Sequence, residues 1–487
     1  MRLLTKPRQV AWFATAVLTP LMLLSVGGCP INPPDGVDNG NGNDNGGGGG
    51  GGTTMTGNTG IGGAFVGSTR CSLCHSNIHT SWTGTLHAKA YEALEAIGQQ
   101  NNAECLPCHT VGFGQSGGFV NRATTNDLAG VGCEACHGGA GTHANNASDA
   151  SLRPQVDISS NVCGRCHTGA HQPNFDDWQM SKHAGIQASL VTSFTNGSNA
   201  ASCGQCHSGD VFYARSIKGE TVANNFLAGR TADQLNPITC AVCHNPHSRT
   251  GNAATPEDGR DYQLRFAQIK YTTPTVSLTA AQDVTRFNLC GQCHHTRDRV
   301  WTDSSREPHP SDQVNVFFGE LPVPDSQPTP IVAARSSVHL NTPEQCSTCH
   351  VFRTPATGLA PTVSGHTFEV NFDACADCHG SRAAGEAKLA GLKAELDFRV
   401  ELLEEALDEW AQANDIDGKG LLSWEYTSEG GPAAAGQNKI PDDIKKARYI
   451  LYYVIAGGGN GAHNPDFVRD ALIQALEYAE TAPPRLP

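Results

Sequence analysis

Leu389, Leu392, Leu396, Val400, Leu403, Leu407 and Trp410 recur at intervals of three and four, with Glu and Lys between them. That spacing puts them on one face of a single long helix. A second helix is predicted from Pro441-Asp442-Asp443, where proline suits the first turn and the acids suit the dipole. It carries Ile444, Ala447, Ile450, Leu451 and Val454 and stops at Gly457-Gly458-Gly459. A third begins at Asn464-Pro465 and carries Phe467, Val468, Leu472, Ala475 and Leu476. Residues 381–487 are therefore expected to form a C-terminal helical region.

The N-terminus has a different grammar. Arg2, Lys6 and Arg8 precede a mostly apolar run from Val10 to Leu24, followed by Val26-Gly27-Gly28-Cys29. A positive flank, a short apolar run and small residues before a cysteine predict a lipoprotein signal peptide over 1–28. The run contains Pro20 and falls short of the roughly 20 residues a membrane span needs. Cys29 would then carry acyl chains into the lipid bilayer. From there to residue 63 the chain is almost all Gly, Asn, Asp, Pro and Thr, including the unbroken run Gly46 to Gly52. So little apolar surface cannot offset the entropy of ordering, which makes residues 29–63 a flexible tether. The protein is expected to be exported and lipid-anchored, at the outer membrane and facing the periplasm or the cell surface.

Between these ends, residues 64–380 show short helical stretches, many loops and few alternating runs. Only 38% of the chain is apolar, so something other than aliphatic side chains must fill this interior. The 19 cysteines supply the answer. Cys-x-x-Cys-His occurs nine times: Cys71/Cys74/His75, Cys105/Cys108/His109, Cys133/Cys136/His137, Cys163/Cys166/His167, Cys203/Cys206/His207, Cys240/Cys243/His244, Cys290/Cys293/His294, Cys346/Cys349/His350 and Cys375/Cys378/His379. With Cys29 they use every cysteine, so none remains for a disulfide. Two thiols one turn apart can form thioethers with the two vinyl groups of one haem, and the following histidine falls beneath the iron. Zinc ribbons and redox dithiols do not require histidine after every second cysteine. Nine covalently bound haem c groups are expected, with the porphyrins forming much of the core.

The far side of each iron decides between conduction and chemistry, because an iron closed by two side chains exchanges electrons but binds no substrate. Met180 is the only methionine beyond the signal and tether, so histidine must supply that ligand. Of 20 histidines, nine follow the cysteine pairs; the remaining 11 are His79, His87, His143, His171, His183, His247, His295, His309, His339, His366 and His463. His295, next to His294, and His79 are the weakest candidates; the other nine are the expected distal ligands. Trp82 to Ala88 and Trp178 to Ala184 share W-x-x-[ST]-x-H-A, an internal repeat that gives His87 and His183 equal roles. His143 and His247 follow their own proximal histidines too closely to turn back over the same haem, and are expected to serve neighbouring ones.

These stretches, with Gly132 to His143, Cys240 to His247 and Ser364-Gly365-His366, resemble the multihaem family of the tetrahaem cytochrome that accepts electrons from hydroxylamine oxidoreductase. The resemblance implies distal roles for His87, His183 and His143. The tail resembles the wider lineage of pentahaem nitrite reductase and hydroxylamine oxidoreductase, whose G-x-H-N segment implies a distal role for His463 in Gly461-Ala462-His463-Asn464. Every motif here ends in histidine, whereas nitrite reductases of that lineage mark their catalytic haem with C-x-x-C-K. The tyrosine cross-link of the hydroxylamine-oxidising branch has no identifiable counterpart.

The expected fold is mainly α with extensive coil, a multihaem cytochrome c fold closed by a C-terminal helical bundle. A net charge of -14 argues against nucleic acid as a partner. The reading favours an electron carrier with bis-histidine haems, working with other redox proteins such as cytochromes or quinol-linked reductases. Assembly into a homo-oligomer or filament belongs to the same class. The alternative is an oxidoreductase of nitrite, hydroxylamine or a sulfur oxyanion, with one substrate-accessible haem.

Overall fold

The computed structural model describes residues 63–251, 261–265, 289–297, 299–342, 344–357, 361–457 and 461–486. The expected signal peptide, the anchor Cys29 and all but the last residue of the expected tether lie outside the described residues.

The architecture is mainly helical with much coil. Most of the Cys-x-x-Cys-His stretches form a single turn of helix. In α1 (Ser68–Ser72) and its continuation, the His75 amide donates to the Cys71 carbonyl at 2.9 Å; His167, His244 and His294 repeat this with Cys163, Cys240 and Cys290. That bond closes the turn and swings each imidazole under the two thiols. Two further turns matter below: α2 (Cys133–His137) and α3 (Gly141–Asn145). Glu134 of α2 is buried and accepts from the backbone N–H groups of Val66, Gly67 and Ala140 at 2.9 to 3.1 Å. A carboxylate satisfied in this way fixes the start of the folded chain onto α2 and α3.

The described sheet is one antiparallel pair, β1 (Arg353–Thr354) with β2 (Val363–Ser364), in the register Arg353↔Ser364 and Thr354↔Val363. It presents His366 to α4 (Asn174–Met180), where the Asp177 carboxylate accepts from the His366 N–H at 3.1 Å.

The large aliphatic core lies at the C-terminus. Helix α5 (Arg382–Ala413) runs 32 residues, about 48 Å at 1.5 Å per residue. Ser381 caps it by accepting from the Ala384 N–H. Helices α6 (Asp442–Ala456) and α7 (Pro465–Thr481) pack against it, and Asn464 caps α7 through the Phe467 N–H. Leu403, Leu407, Ile444, Ile450, Phe467 and Leu472 are fully buried between them. The same core takes in Trp301, Val316, Ile331 and Val332, so the bundle is welded to the cysteine-rich body. Two satellite clusters lie within that body, one around Tyr91, Leu106, Val111 and Phe119, the other around Phe194, Val211, Leu227 and Leu235. No described helix is long and apolar enough to cross a membrane.

Candidate haem-binding centre

Number the Cys-x-x-Cys-His motifs 1 to 9 in chain order. A cavity of about 2330 Å³ runs through the body, and motifs 2 to 9 all contribute thiols or imidazoles to its lining. No disulfide joins any of the 18 described cysteines.

Motif 1 lies apart from this cavity. Cys74 and His75 are exposed, and Cys71, Cys74 and His75 all lie outside the cavity lining. The reason is position. Motif 1 sits on the first described helical turn of the body, with no earlier motif before it in the chain. Cys74 keeps its spacing from Cys71 on that turn, where the Cys74 amide donates to the Cys71 carbonyl at 3.2 Å. A macrocycle tethered there would lie at the surface of the protein.

Seven of the nine proximal imidazoles face a second imidazole. The ring centres lie 6.0 Å apart for His137 and His247, 6.0 Å for His167 and His87, 6.1 Å for His207 and His309, and 6.4 Å for His244 and His366. The other pairs are His294 with His183 at 6.0 Å, His350 with His463 at 6.2 Å and His379 with His339 at 6.4 Å. A metal-to-nitrogen bond of about 2 Å on each side, extended by each ring's radius, gives a separation of about 6 Å. Each pair is therefore spaced for one metal ion between two axial imidazoles. Among the described residues no group of three or more His, Cys, Asp or Glu side chains could hold a metal on its own. The equatorial donors must come from a cofactor, and a porphyrin tethered by the adjacent thiols supplies four in a plane.

Burial disfavours the charged form of several of these rings, and a metal ligand must be neutral. Burial pushes His87, His183, His244 and His463 down to about 4. Burial and then the Arg297 charge push His309 to about 3. Backbone carbonyls fix the tautomer: the Nδ1 atoms of His109, His137, His244 and His350 contact the carbonyl oxygens of Ala90, Gln155, Tyr262 and Phe368 at 2.7 to 3.3 Å. With Nδ1–H donating there, Nε2 is left to face the cavity. His339 is held in the same way by the Ala462 carbonyl at 2.9 Å.

The remaining candidates sit differently. His143, on α3, has a buried Nδ1 with no partner, and its neighbour Ala144 accepts from Arg70 of α1, beside motif 1. His171 lines the cavity, where burial and then the neighbouring His109 push its pKa down, and it does not meet His109 as an opposed pair. His79 leans on Trp82 at 5.5 Å, and His295 is buried with its Nδ1 2.8 Å from the Thr296 carbonyl. Sequence reasoning passed over Arg297, whose guanidinium lies 3.2 Å from His207 Nε2 and 2.8 Å from His309 Nε2.

Thiols of different motifs also meet. Cys71 and Cys133, Cys108 and Cys166, Cys163 and Cys240, Cys206 and Cys293, and Cys290 and Cys346 are near enough to influence each other's ionisation.

Residues 70–138 match the family described as cytochrome c554 and c-prime, and residues 333–486 match the cytochrome c552 family. The chain is a multihaem c-type cytochrome related to both. It is 38% identical over 89 residues to cytochrome c-554 of Nitrosomonas europaea, covering 15% of this chain and 38% of that one. It is 24% identical to cytochrome c-552 of Desulfotalea psychrophila over 58% of each chain. The polyhaem cytochrome OmcC of Geobacter sulfurreducens is 27% identical over 48% of this chain and 27% of its own. The chain thus spans less than two thirds of the curated relatives it matches. In fold, this multihaem cytochrome is similar to the outer cell wall cytochrome OcwA, with a TM-score of 0.53 at 17% identity over 85% of this chain and 99% of that one. It is also similar to an undecahaem cytochrome from the S-layer of Carboxydothermus ferrireducens, with a TM-score of 0.51 at 19% identity over 87% and 70%.

Proposed function

We propose that this cytochrome holds nine covalent haem c groups, one per motif, and conducts electrons through bis-histidine irons at the cell envelope. The observation that carries the reading is the set of seven opposed imidazole pairs, each uniting one motif histidine with one of the spare histidines. On this reading His247, His87, His309, His366, His183, His463 and His339 close motifs 3 to 9 in that order. His143 serves motif 1, which its helix touches through Arg70, and His171 serves motif 2. When bound, the haems supply reversible one-electron chemistry. The chain's own groups would hold the rings in orientation through backbone carbonyls, and burial disfavours the charged form of His183, His244 and His463.

Names of the relatives that place them in an outer cell wall and an S-layer support export, and the Cys29 lipobox supports a lipid anchor in the outer membrane. Other redox proteins, cytochromes or quinol-linked reductases, would supply and accept the electrons. A second reading is favoured by Arg297: a cation between His207 and His309 would draw an anion such as nitrite or a sulfur oxyanion to motif 5 if His309 yields its place. Intact-mass analysis should find nine haems. Electron paramagnetic resonance of the oxidised protein should then show low-spin iron, unaltered by nitrite, hydroxylamine or sulfite. A high-spin signal responding to one of these would favour the enzyme, and fewer than nine haems would end the nonahaem reading.

A further inference from the structure

The proximal rings of motifs 3, 6 and 8 share one device. His137, His244 and His350 each meet the backbone carbonyl 18 residues onward, of Gln155, Tyr262 and Phe368. At motif 7 the residue in that place is Asp312, and its carbonyl is already engaged. It accepts from the Val316 N–H at 3.0 Å and opens the short helix Gln313–Phe318. The ring meets the next side chain instead, with His294 Nδ1 3.2 Å from Gln313 Oε1. The Val314 N–H donates to the His294 carbonyl at 3.0 Å, which keeps Gln313 beside the ring. The far end of the amide settles its direction. Gln313 Nε2 donates to the Gly457 carbonyl at 3.0 Å, and a carbonyl can only accept. The amide oxygen therefore faces His294, so Nδ1 carries the proton and Nε2 is left for a metal. Glycine at 457 permits this approach, because a first side-chain carbon there would lie 2.9 Å from the Asp312 carboxylate. Gly457 directly follows α6. Just before α7, the Ala462 carbonyl holds His339 of the motif 9 pair, and His463 opposes His350 of motif 8.

We infer that Gln313 is a positioning residue for the iron of motif 7: it holds His294 crossed to His183, sets how strongly that ring donates to the metal, and ties the site to the C-terminal bundle that also mounts rings of motifs 8 and 9. This rests on the bis-histidine reading. A hydrogen bond accepted from Nδ1–H makes the ring a stronger donor at Nε2, which favours ferric over ferrous iron. The Gly457 carbonyl polarises the amide and strengthens that bond in turn. A backbone carbonyl cannot be exchanged by substitution, whereas a glutamine can. Motif 7 is thus a place where one side chain retunes an iron without moving the main chain. The planes of His294 and His183 stand 78° apart, against 4° for His137 and His247. Crossed axial rings give low-spin ferric haem a more anisotropic resonance than parallel rings do, so the orientation that Gln313 imposes can be read directly.

The test is a redox titration of the holoprotein followed by electron paramagnetic resonance. Gln313→Leu, close in size but with neither acceptor nor donor, should move one crossed-ring resonance. At a fixed potential the ferrous-to-ferric ratio of that same haem should rise about threefold or more. Gln313→Glu keeps an oxygen toward His294, so the native resonance should persist and the ratio should not rise. Gln437→Leu removes an amide that serves the Glu425 and Pro432 carbonyls inside the bundle. It should lower the melting temperature and leave the resonance in place. A native resonance and ratio in Gln313→Leu, or the same shift in Gln437→Leu, would overturn the inference while the bis-histidine reading stands. A native holoprotein without low-spin iron would fail that reading instead. Should Gln313→Leu not fold, cryo-electron microscopy of the native holoprotein decides. Gln313 Oε1 must then lie on His294 Nδ1, and a water or another group in its place would refute the assignment.

Discussion

The rings of His137 and His247 lie parallel, 4° apart in plane, with centres 6.0 Å apart. On the bis-histidine reading that spacing leaves room for one iron between the two rings, since hydrogen-bonded imidazoles would sit closer. His247→Ala should leave all nine macrocycles attached but open one iron. The check is a new high-spin resonance that disappears on adding imidazole. His79→Ala, at a ring that leans on Trp82, should give no such signal. Identical spectra from both variants would contradict the ligand assignment.

Glu134 satisfies backbone donors from three residues while itself buried. Glu134→Ala would strand Val66, Gly67 and Ala140 N–H groups, at a cost of about 3 kcal/mol. Melting followed by circular dichroism should show the loss, and Glu134→Gln, keeping one acceptor oxygen, should lose less. A variant as stable as the native chain would show that water replaces the carboxylate.

Within the bundle Arg448 is fully buried. Its Nη1 donates to the Trp424 and Glu425 carbonyls and to Gln437 Oε1 at 2.8 to 3.0 Å, and its guanidinium lies 4.2 Å over the Tyr426 ring. Glu425, also buried, accepts from the Tyr452 hydroxyl at 2.8 Å. Removing one partner from a buried charged network costs about 3–5 kcal/mol. Arg448→Ala should therefore unfold α5 to α7 at lower denaturant than Leu421→Ala, at a far more exposed position. Equal midpoints would refute this.

Asp312 is buried with both carboxylate oxygens unpartnered, and burial raises its pKa to about 8. The folded state then keeps a proton that the unfolded chain releases from about pH 4 upward, so this residue costs increasing stability as pH rises to about 8. Asp312→Asn should raise the melting temperature at pH 8 by several degrees, about 1–3 kcal/mol, with the gain shrinking toward pH 4. Melting scans across that range provide the check, and a difference independent of pH would argue against titration here.

Local signals in the sequence reached far into this protein. The leucine spacing marks α5, the caps mark α6 and α7, and the cysteine pairs mark where cofactors attach. The W-x-x-[ST]-x-H-A repeat already paired His87 with His183 in role. Which imidazole meets which was not legible, because the partners are joined by long-range packing: Asp177 and Asn174 of α4 hold His366 opposite His244. That motif 1 lies outside the shared cavity was equally hidden, since its motif reads like the other eight. Arg297 escaped notice for the same reason, since nothing beside it in the chain tells that His207 lies across from it.

A cavity lined by attachment motifs instead of interlocking aliphatic side chains changes what evolution must preserve. A close-packed interior punishes the loss of one methylene, whereas a wall facing a large rigid disc tolerates many substitutions so long as tethers and axial rings stay in place. The likeness in fold to a protein only 17% identical fits such tolerance. Variation of that kind can gather on the outer surface, where it disturbs neither a tether nor an axial ring.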